Sequence, residues 1–238
     1  MKLFISDIKF IAYRPVLLSA FLSPVIFTLF LLYLFPLISG LNRHEDALSY
    51  GRFYTLTAIT LVSAIPFIYG ILFSFVHLNE LHYFSSERAE VHVPGTRSIL
   101  ISRMVISAVL SFILVLPVIY ITGAVSSEGW LRSIFVAFLL AVMTPFILLF
   151  SVAFAGDRKN WKLIALISVL FLITVPVGLL LHHPWNYFAF FSPFYWLSWA
   201  WVIPSPSESL MYGIISLAST SAWMLIFYRY FLRNSGTV

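Results

Sequence analysis

The most restrictive feature of this chain is a series of apolar runs, each about as long as a membrane is thick. A helix needs about 20 apolar residues to cross the hydrocarbon core of a bilayer. Only 10% of the 238 residues are charged, whereas a soluble domain carries about 25%. The sequence therefore predicts an all-α membrane protein, with a single transmembrane domain over residues 1–238 and six spanning helices. The predicted spans are residues 16–39, 53–76, 99–123, 131–155, 162–181 and 207–230.

The distribution of lysine and arginine predicts how these spans are oriented. Positive charge concentrates in the short cytoplasmic loops of membrane proteins. Eleven basic residues fall on one predicted side of the membrane and three on the other. We therefore expect both termini to be cytoplasmic. The eleven are Lys2, Lys9, Arg14, Arg88, Arg97, Arg103, Arg158, Lys159, Lys162, Arg229 and Arg233, and the three are Arg43, Arg52 and Arg132.

One aromatic segment leaves the number of spans open. Residues 185–203 carry no charge, are dense in rings and are punctuated by prolines. Tryptophan and tyrosine favour the headgroup zone, so we expect short interfacial or re-entrant helices that cap the outer side. A seventh span is the alternative, and it would place the C-terminus outside. The rings of this predicted cap include Trp185, Tyr195, Trp196 and Trp199.

The N-terminal residues 2–14 are predicted to form an amphipathic helix at the membrane interface. Phe4, Ile8 and Ile11 fall on one side of such a helix, the polar residues fall on the other, and Arg14 follows at its end. This is the pattern of a helix that lies in the plane of the membrane. A plain flank of the first span is the alternative.

The densest polar stretch of the chain, residues 77–103, lies between the second and third predicted spans. Its first half is predicted to form a short cytoplasmic helix, with Leu78, Leu81 and Phe84 roughly on one face. Pro94 and Gly95 then end it. A membrane protein that binds a soluble partner needs such a polar stretch, although a solvated connector would have the same composition.

The motifs of common catalytic and metal sites do not occur in the sequence. There is no cysteine, no phosphate-binding G-x-x-x-x-G-K-[ST] loop, no H-E-x-x-H and no G-x-S-x-G. The predicted spans have no central charged residue of the kind that relays ions in carriers. We therefore expect no enzyme site, no metal and no nucleic-acid partner, and an energy source outside the chain. The weakly supported metal alternative would use Glu80, His82, Glu87, Glu90 and His92.

Several short motifs in order resemble ABC-2-type transporter permeases, the six-span membrane subunits of ATP-binding cassette exporters, and among them the drug or fluoroquinolone export permeases. The resemblance covers most of the chain. The motifs are Asp7-Ile8-Lys9 with Tyr13-Arg14-Pro15 and Pro24, Pro66-Phe67-Ile68-Tyr69-Gly70 with Asn79-Glu80, Val93-Pro94 with Arg103, Asp157-Arg158-Lys159-Asn160 before Trp161-Lys162, and Ser192-Pro193-Phe194-Tyr195-Trp196.

The resemblance implies a bacterial inner-membrane exporter for a hydrophobic or amphipathic substrate such as a drug, a lipid-like molecule or a peptide. Its partners would be two ATPase subunits, which bind ATP and Mg, a second permease copy or a paralogue, and membrane lipids. The stretch between spans two and three would be the coupling helix that contacts the ATPase. The implied contact residues are Leu78, Glu80, Leu81, Phe84, Glu87 and Arg88.

Two other functional classes fit the same composition. An intramembrane enzyme, such as a protease or lipid transferase, would need convergent polar groups at membrane depth. A scaffold or immunity protein that transports nothing would share the topology. The sequence separates neither homodimer from heterodimer nor one substrate from another.

Overall fold

A computed structural model describes residues 15–37, 47–86, 96–123, 130–155, 160–180 and 185–234 of the protein. All regular structure in these ranges is helical. The α-helices are α1 (Pro15–Leu29), α2 (Ala47–Ser86), α3 (Thr96–Thr122), α4 (Trp130–Ala155), α5 (Trp161–Leu180), α6 (Pro193–Val202) and α7 (Pro206–Asn234). A π-helical turn, Phe30–Leu34, follows α1, and a 3₁₀ helix, Trp185–Ala189, precedes α6.

Five of the described helices are long and apolar enough to cross a membrane. They are Phe53–Glu80, Arg97–Thr122, Trp130–Ala155, Trp161–Leu180 and Pro206–Arg233. Each agrees with one of the predicted spans to within a few residues. Within the first predicted span, 16–39, the structure has the apolar helix Leu22–Leu37, which is shorter than the other five. The prediction of an all-helical membrane protein is therefore confirmed for the described residues, while the count of six spans stays a prediction.

Helix α4 is the centre of the bundle. It packs against α2, α3, α5, α6 and α7. Most of its residues from Val136 to Ala155 are buried, while Phe138 and Phe154 are exposed, which is expected of a helix that is apolar all round and packs on most of its sides. The other long helices therefore form a layer around α4 and keep one side each for lipid or for another chain.

The long helices alternate in direction, so that the bundle has two distinct ends. At one end, which we call the Glu80 end, the C-terminal part of α2 meets the start of α3 and the start of α5. At the other, which we call the Arg132 end, the Tyr54 hydroxyl of α2 donates a 2.6 Å hydrogen bond to the carbonyl of Thr122 at the end of α3. The helix ends on either side of residues 87–95, and the start of α5 after residues 156–159, lie at the Glu80 end.

Glycine allows the closest approach between α2 and α4. A β-carbon placed on Gly70 would lie 2.7 Å from Cβ of Ile147 and 2.8 Å from the carbonyl oxygen of Thr144. Small residues at such crossings let helix backbones touch within a membrane. The contact at Gly70 therefore fixes α2 firmly against the central helix.

Candidate functional site

The predicted coupling helix is part of α2 up to Ser86. Helix α2 is 40 residues long, or about 60 Å, and its apolar span ends at Glu80. Residues 81–86, which we call the α2 extension, continue it by about 9 Å without a break. The first half of the polar stretch is thus an extension of the second span rather than a separate short helix.

Apart from Glu80, which is described in the next paragraph, the predicted ATPase-contact residues divide into three groups in the structure. The Leu78 side chain is 3% exposed and packs in the core of this chain. Leu81 and Phe84 lie on the α2 extension, where the backbone is described and the side chains are not. Glu87 and Arg88 lie outside the described residues. The contact role of Leu81 and Phe84 therefore stays a prediction, whereas Leu78 packs inside the bundle.

Glu80 of α2 forms an ion pair with Arg103 of α3. The Arg103 Nη2 and Glu80 Oε1 atoms are 2.5 Å apart, and the two side chains are 2% and 26% exposed. Because Arg103 is almost completely buried, its guanidinium would be left with neither water nor a counter-charge if the pair separated. Removal of one partner of a buried pair typically costs about 3–5 kcal/mol because the other charge stays buried.

His77 extends this polar cluster by one turn of α2. Its side chain is fully buried, and among the described residues neither ring nitrogen has a hydrogen-bond partner. It lies close enough to Arg103 for the positive charge of the guanidinium to act on it. Because residues three apart share a helix face, His77 and Glu80 both face α3. The three side chains therefore form one polar cluster between α2 and α3.

Sequence reasoning placed Arg103 among the charges that flank a span, and the structure buries it within the bundle. The sequence contained a signal for this burial, because Arg103, Ser107 and Ser111 recur every four residues. In the structure all three side chains are buried. That spacing puts polar side chains on the packed face of α3 rather than on its lipid face. What the sequence did not reveal was the partner, because Glu80 lies in another helix.

Two further contacts tie helices together at the Glu80 end. The indole nitrogen of Trp161, the first residue of α5, donates a 2.9 Å hydrogen bond to the Ser74 hydroxyl of α2. The guanidinium carbon of Arg97 lies 5.7 Å from the ring centroid of Tyr228 in α7, within the range of a cation–π contact. Helices α2, α3, α5 and α7 therefore all meet near the α2 extension.

At the Arg132 end, the aromatic segment enters the bundle and returns. Helix α6 has 10 residues, or about 15 Å, half the thickness of the hydrocarbon core. Just before it, the Ser192 hydroxyl shares a 2.8 Å hydrogen bond with Thr174, about 9 Å inside the end of α5. The Pro193 carbonyl accepts a 3.1 Å bond from Ser216, about 15 Å inside the start of α7. We call residues 185–203 the aromatic hairpin.

The hairpin excludes the alternative of a seventh span through residues 185–203. The 3₁₀ helix and α6 are each too short to cross a membrane, and both ends of the segment lie at the Arg132 end. The cap was predicted to be either interfacial or re-entrant. Its contacts favour a re-entrant segment, because Phe194, Leu197 and Trp201 are buried among the long helices.

Side chains of α7 and of the hairpin itself donate hydrogen bonds to several backbone carbonyls of the hairpin. Carbonyl groups outside regular helices must find donors within the protein when water is absent. Each hydrogen bond in the following list joins an indole or hydroxyl group to a hairpin carbonyl: Trp196 to Phe190 (2.9 Å), Trp223 to Phe191 (2.8 Å), Ser216 to Pro193 (3.1 Å) and Ser209 to Ala200 (2.5 Å).

Arg132 completes this arrangement at the C-terminus of α6. Its Nη2 atom donates to the carbonyl oxygens of Trp201, at 2.9 Å, and of Ile203. The last carbonyls of a helix have no partner within it and carry partial negative charge. The guanidinium, placed by the first turn of α4, therefore caps α6 and joins the hairpin to the central helix.

The predicted aromatic cap is partly a packed core. Tyr195 is buried, while Trp196 and Trp199 are half-buried. The rings of both tryptophans lie nearly parallel to that of Tyr212 of α7, with centroids 6.1 and 6.3 Å from it. Trp185 belongs to the 3₁₀ helix, and its side chain lies outside the described part. The two indoles of the hairpin and the Tyr212 phenol of α7 therefore form one partly exposed group of rings.

Other predicted residues fall outside the described ranges. The interfacial helix, with Phe4, Ile8, Ile11 and Arg14, precedes residue 15, and the side chains of His82, Glu87, Glu90 and His92 are not described. Within the residues that are described, no group of three or more acidic or histidine side chains could hold a metal ion.

Comparison with known families assigns the chain. A family model described as "Fluoroquinolones export permease protein Rv2686c-like" matches residues 7–228 of the 238. The chain belongs to this family. The predicted relationship to fluoroquinolone export permeases is thereby confirmed, and the five apolar helices agree with a multi-pass membrane protein of the Rv2686c-like family. No curated protein and no solved structure matches the chain.

Proposed function

We propose that this Rv2686c-like chain is the membrane subunit of an ABC exporter that moves an amphipathic drug out of a bacterial cell. The family match over residues 7–228 carries the proposal. Two ATPase subunits would bind ATP and Mg, and a second permease, either a copy or a paralogue, would complete the transport path. The chain would lie in the cytoplasmic membrane with the Glu80 end facing the cytoplasm.

The charge distribution of the described residues supports an external energy source. The buried charged groups lie near the helix ends, with Glu80 and Arg103 at one and Arg132 at the other. Carriers driven by ion gradients instead place ionisable groups near the middle of the membrane, where the ions bind. A permease driven by a soluble ATPase needs its polar contacts at the cytoplasmic end.

The continuity of α2 supports a mechanism of force transmission. A partner that displaced the α2 extension would act on a single helix that runs through the bundle and touches α4 at Gly70. Packed helices respond to such displacement as rigid bodies that shift against one another. We infer that ATPase closure moves α2 and thereby changes the access of the transport path.

The proposed substrate is an aromatic, amphipathic molecule of the fluoroquinolone class. The family name supplies the substrate class, and the ring surface of Trp196, Trp199 and Tyr212 is suited to planar aromatic molecules. Aromatic rings prefer offset or edge-on contacts, which contribute about 0.5–1.5 kcal/mol each.

The experiment expresses the permease with the ATPase subunit that co-purifies with it and measures ATP-dependent fluoroquinolone uptake into inverted vesicles, which corresponds to efflux from the cell. Leu81→Ala with Phe84→Ala removes the two proposed apolar anchors on the α2 extension. Loss of a central anchor costs about 2 kcal/mol, or roughly thirtyfold in affinity, so the ATPase should be released or uncoupled. Glu87→Lys, at the proposed rim, should act more weakly and only at low salt.

Phe53→Ala is the matched control. Phe53 is an exposed phenylalanine at the opposite end of α2, so its loss should leave ATPase binding unchanged. Wild-type efflux and co-purification in the Leu81 and Phe84 double variant would contradict the proposed contact. A permease that binds an ATPase but moves no fluoroquinolone would contradict the proposed substrate.

A further inference from the structure

The Glu80–Arg103 ion pair lies at a special place in the chain. Glu80 is the last residue of the apolar span of α2, immediately before the α2 extension. Arg103 lies seven residues after the first residue of α3, about two turns into the helix. The pair therefore joins the two helix ends that lead into and out of the polar stretch between spans two and three.

The surroundings of the pair resist its separation. Arg103 is almost completely buried, and the apolar side chains of Leu78, Ile99 and Leu100 are buried on the same two helix segments. His77 is buried one turn before Glu80, and the positive charge of Arg103 acts on its ring. Water that would otherwise stabilise a separated guanidinium is excluded here, so attraction across the helix contact is weakly screened.

We propose that Glu80 and Arg103 are positioning residues that clamp the α2 extension to the first two turns of α3, so that the two helix ends move as one body. The role of this clamp in transport rests on the proposed function, whereas the clamp itself is a property of the chain. A force on residues 81–86 then passes into both α2 and α3. Without the clamp, α2 with its extension would move without α3, and ATP hydrolysis would drive only part of the bundle.

The clamp can be tested directly because the chain has no native cysteine. Spin labels on cysteines at positions 86 and 98 report the distance between the end of α2 and the start of α3 by pulsed electron paramagnetic resonance. We expect one narrow distance distribution in the wild-type background. Glu80→Gln and Arg103→Met should each broaden it, since each removes one charge of the pair.

Trp161→Phe is the matched control for this measurement. It removes another buried side-chain contact to α2 at the same end, the hydrogen bond to Ser74, without touching the pair. It should leave the distribution narrow. An unchanged distribution in both Glu80→Gln and Arg103→Met, or equal broadening in Trp161→Phe, would overturn the clamp. Glu80→Gln retains the size of glutamate and one of its acceptor oxygens, so it keeps the test available if Arg103→Met fails to fold.

A cross-link tests whether the pair stays closed during transport. In the Glu80→Cys/Arg103→Cys variant, the amount of fluoroquinolone moved per ATP should fall at least about fivefold, the lower end of typical coupling effects. A bifunctional methanethiosulfonate that bridges the two thiols should restore the ratio. If the bridged protein hydrolyses ATP but moves no drug, the helices must separate in each cycle and the clamp is overturned.

These two measurements separate the clamp from the proposed function. If the wild-type protein moves no fluoroquinolone, the proposed function fails, while the spin-label distances still decide whether the ion pair holds the helix ends together. If the distances support the clamp and the double-cysteine variant transports normally without a cross-link, the clamp has no role in coupling and that part of the proposal is overturned.

Discussion

At the scale of single residues, glycine decides how the aromatic hairpin fits against α5. A β-carbon on Gly178 would lie 2.3 Å from Cδ2 of Tyr195 and 2.7 Å from its Cε2. Tyr195 is buried and its ring also contacts Phe190, Trp196 and Trp199. The ring therefore has little room to move aside, and only glycine fits at position 178.

We expect Gly178→Ala to destabilise the protein. Overpacking of a filled core typically costs about 1–3 kcal/mol, which should appear as a lower melting temperature of the detergent-purified protein. Gly51→Ala is the control, since a β-carbon on Gly51 meets nothing within 4 Å and alanine favours the helix. Equal melting temperatures for Gly178→Ala and wild type would show that the hairpin packs more loosely than the structure indicates.

At the scale of elements, the hairpin depends on Arg132 as much as on its own rings. The guanidinium bonds two carbonyls at the end of α6, and Ser209 bonds a third. A hydrogen bond from a charged donor contributes about 1.5–3 kcal/mol, so this cap is among the strongest contacts of the hairpin. Its loss would leave carbonyls unsatisfied where water is scarce.

We therefore expect Arg132→Met to free the C-terminal end of α6 while the long helices stay packed. Amide hydrogen exchange should rise in residues 193–203 and stay slow in α4, which is buried independently of the cap. Arg132→Lys keeps the charge but replaces the guanidinium, whose Nη2 atom bonds both carbonyls, with an ammonium group on a different stem, so its exchange rates should lie between those of the wild type and Arg132→Met. Unchanged exchange in Arg132→Met would show that Ser209 and the rings hold α6 without the guanidinium.

The elements could be predicted from the sequence more fully than the contacts between them. The five long spans follow from apolar length alone, and the prolines and rings of residues 185–203 indicated short helices rather than a span. The depth of the hairpin did not follow, because it depends on Thr174 and Ser216, which look like ordinary hydroxyl residues of apolar helices. The end of the second helix was predicted too early, at residue 76, since α2 continues through residues 77–86.

Pairings across helices were the least accessible to sequence reasoning. Glu80 and Arg103 are 23 positions apart and lie on either side of the Pro94-Gly95 break. The positive-inside pattern accounts for an arginine near the end of a span whether it faces headgroups or the bundle. Arg132 presents the same ambiguity, because a charge that flanks a span and a charge that caps a neighbouring helix have the same sequence position. Only the burial of the arginine side chain distinguishes these two roles, and that burial depends on the assembled fold.

At the scale of the whole molecule, the alternating helices and the basic residues give the same orientation. The ends of α2 and α4 and the starts of α3 and α5 lie at the Glu80 end, and the predicted cytoplasmic charges flank these segments. Helix α7 returns to this end as well, where Tyr228 contacts Arg97. An even number of crossings would place both termini on the cytoplasmic side, and an odd number would separate them.

Cysteine accessibility in intact cells decides between these topologies, and the absence of native cysteine gives a clean background. Single cysteines in place of Ser6, Ser86 and Ser235 should resist a membrane-impermeant maleimide, whereas cysteines in place of Ser127 and Ser207 should react. Ser207 is exposed at the start of α7, so its labelling is not limited by packing. Ser63, which is fully buried, serves as the control that reacts only after denaturation. Labelling of position 235 from outside, together with protection of position 6, would require an odd number of spans. It would then remove the cytoplasmic C-terminus from the orientation proposed for this permease.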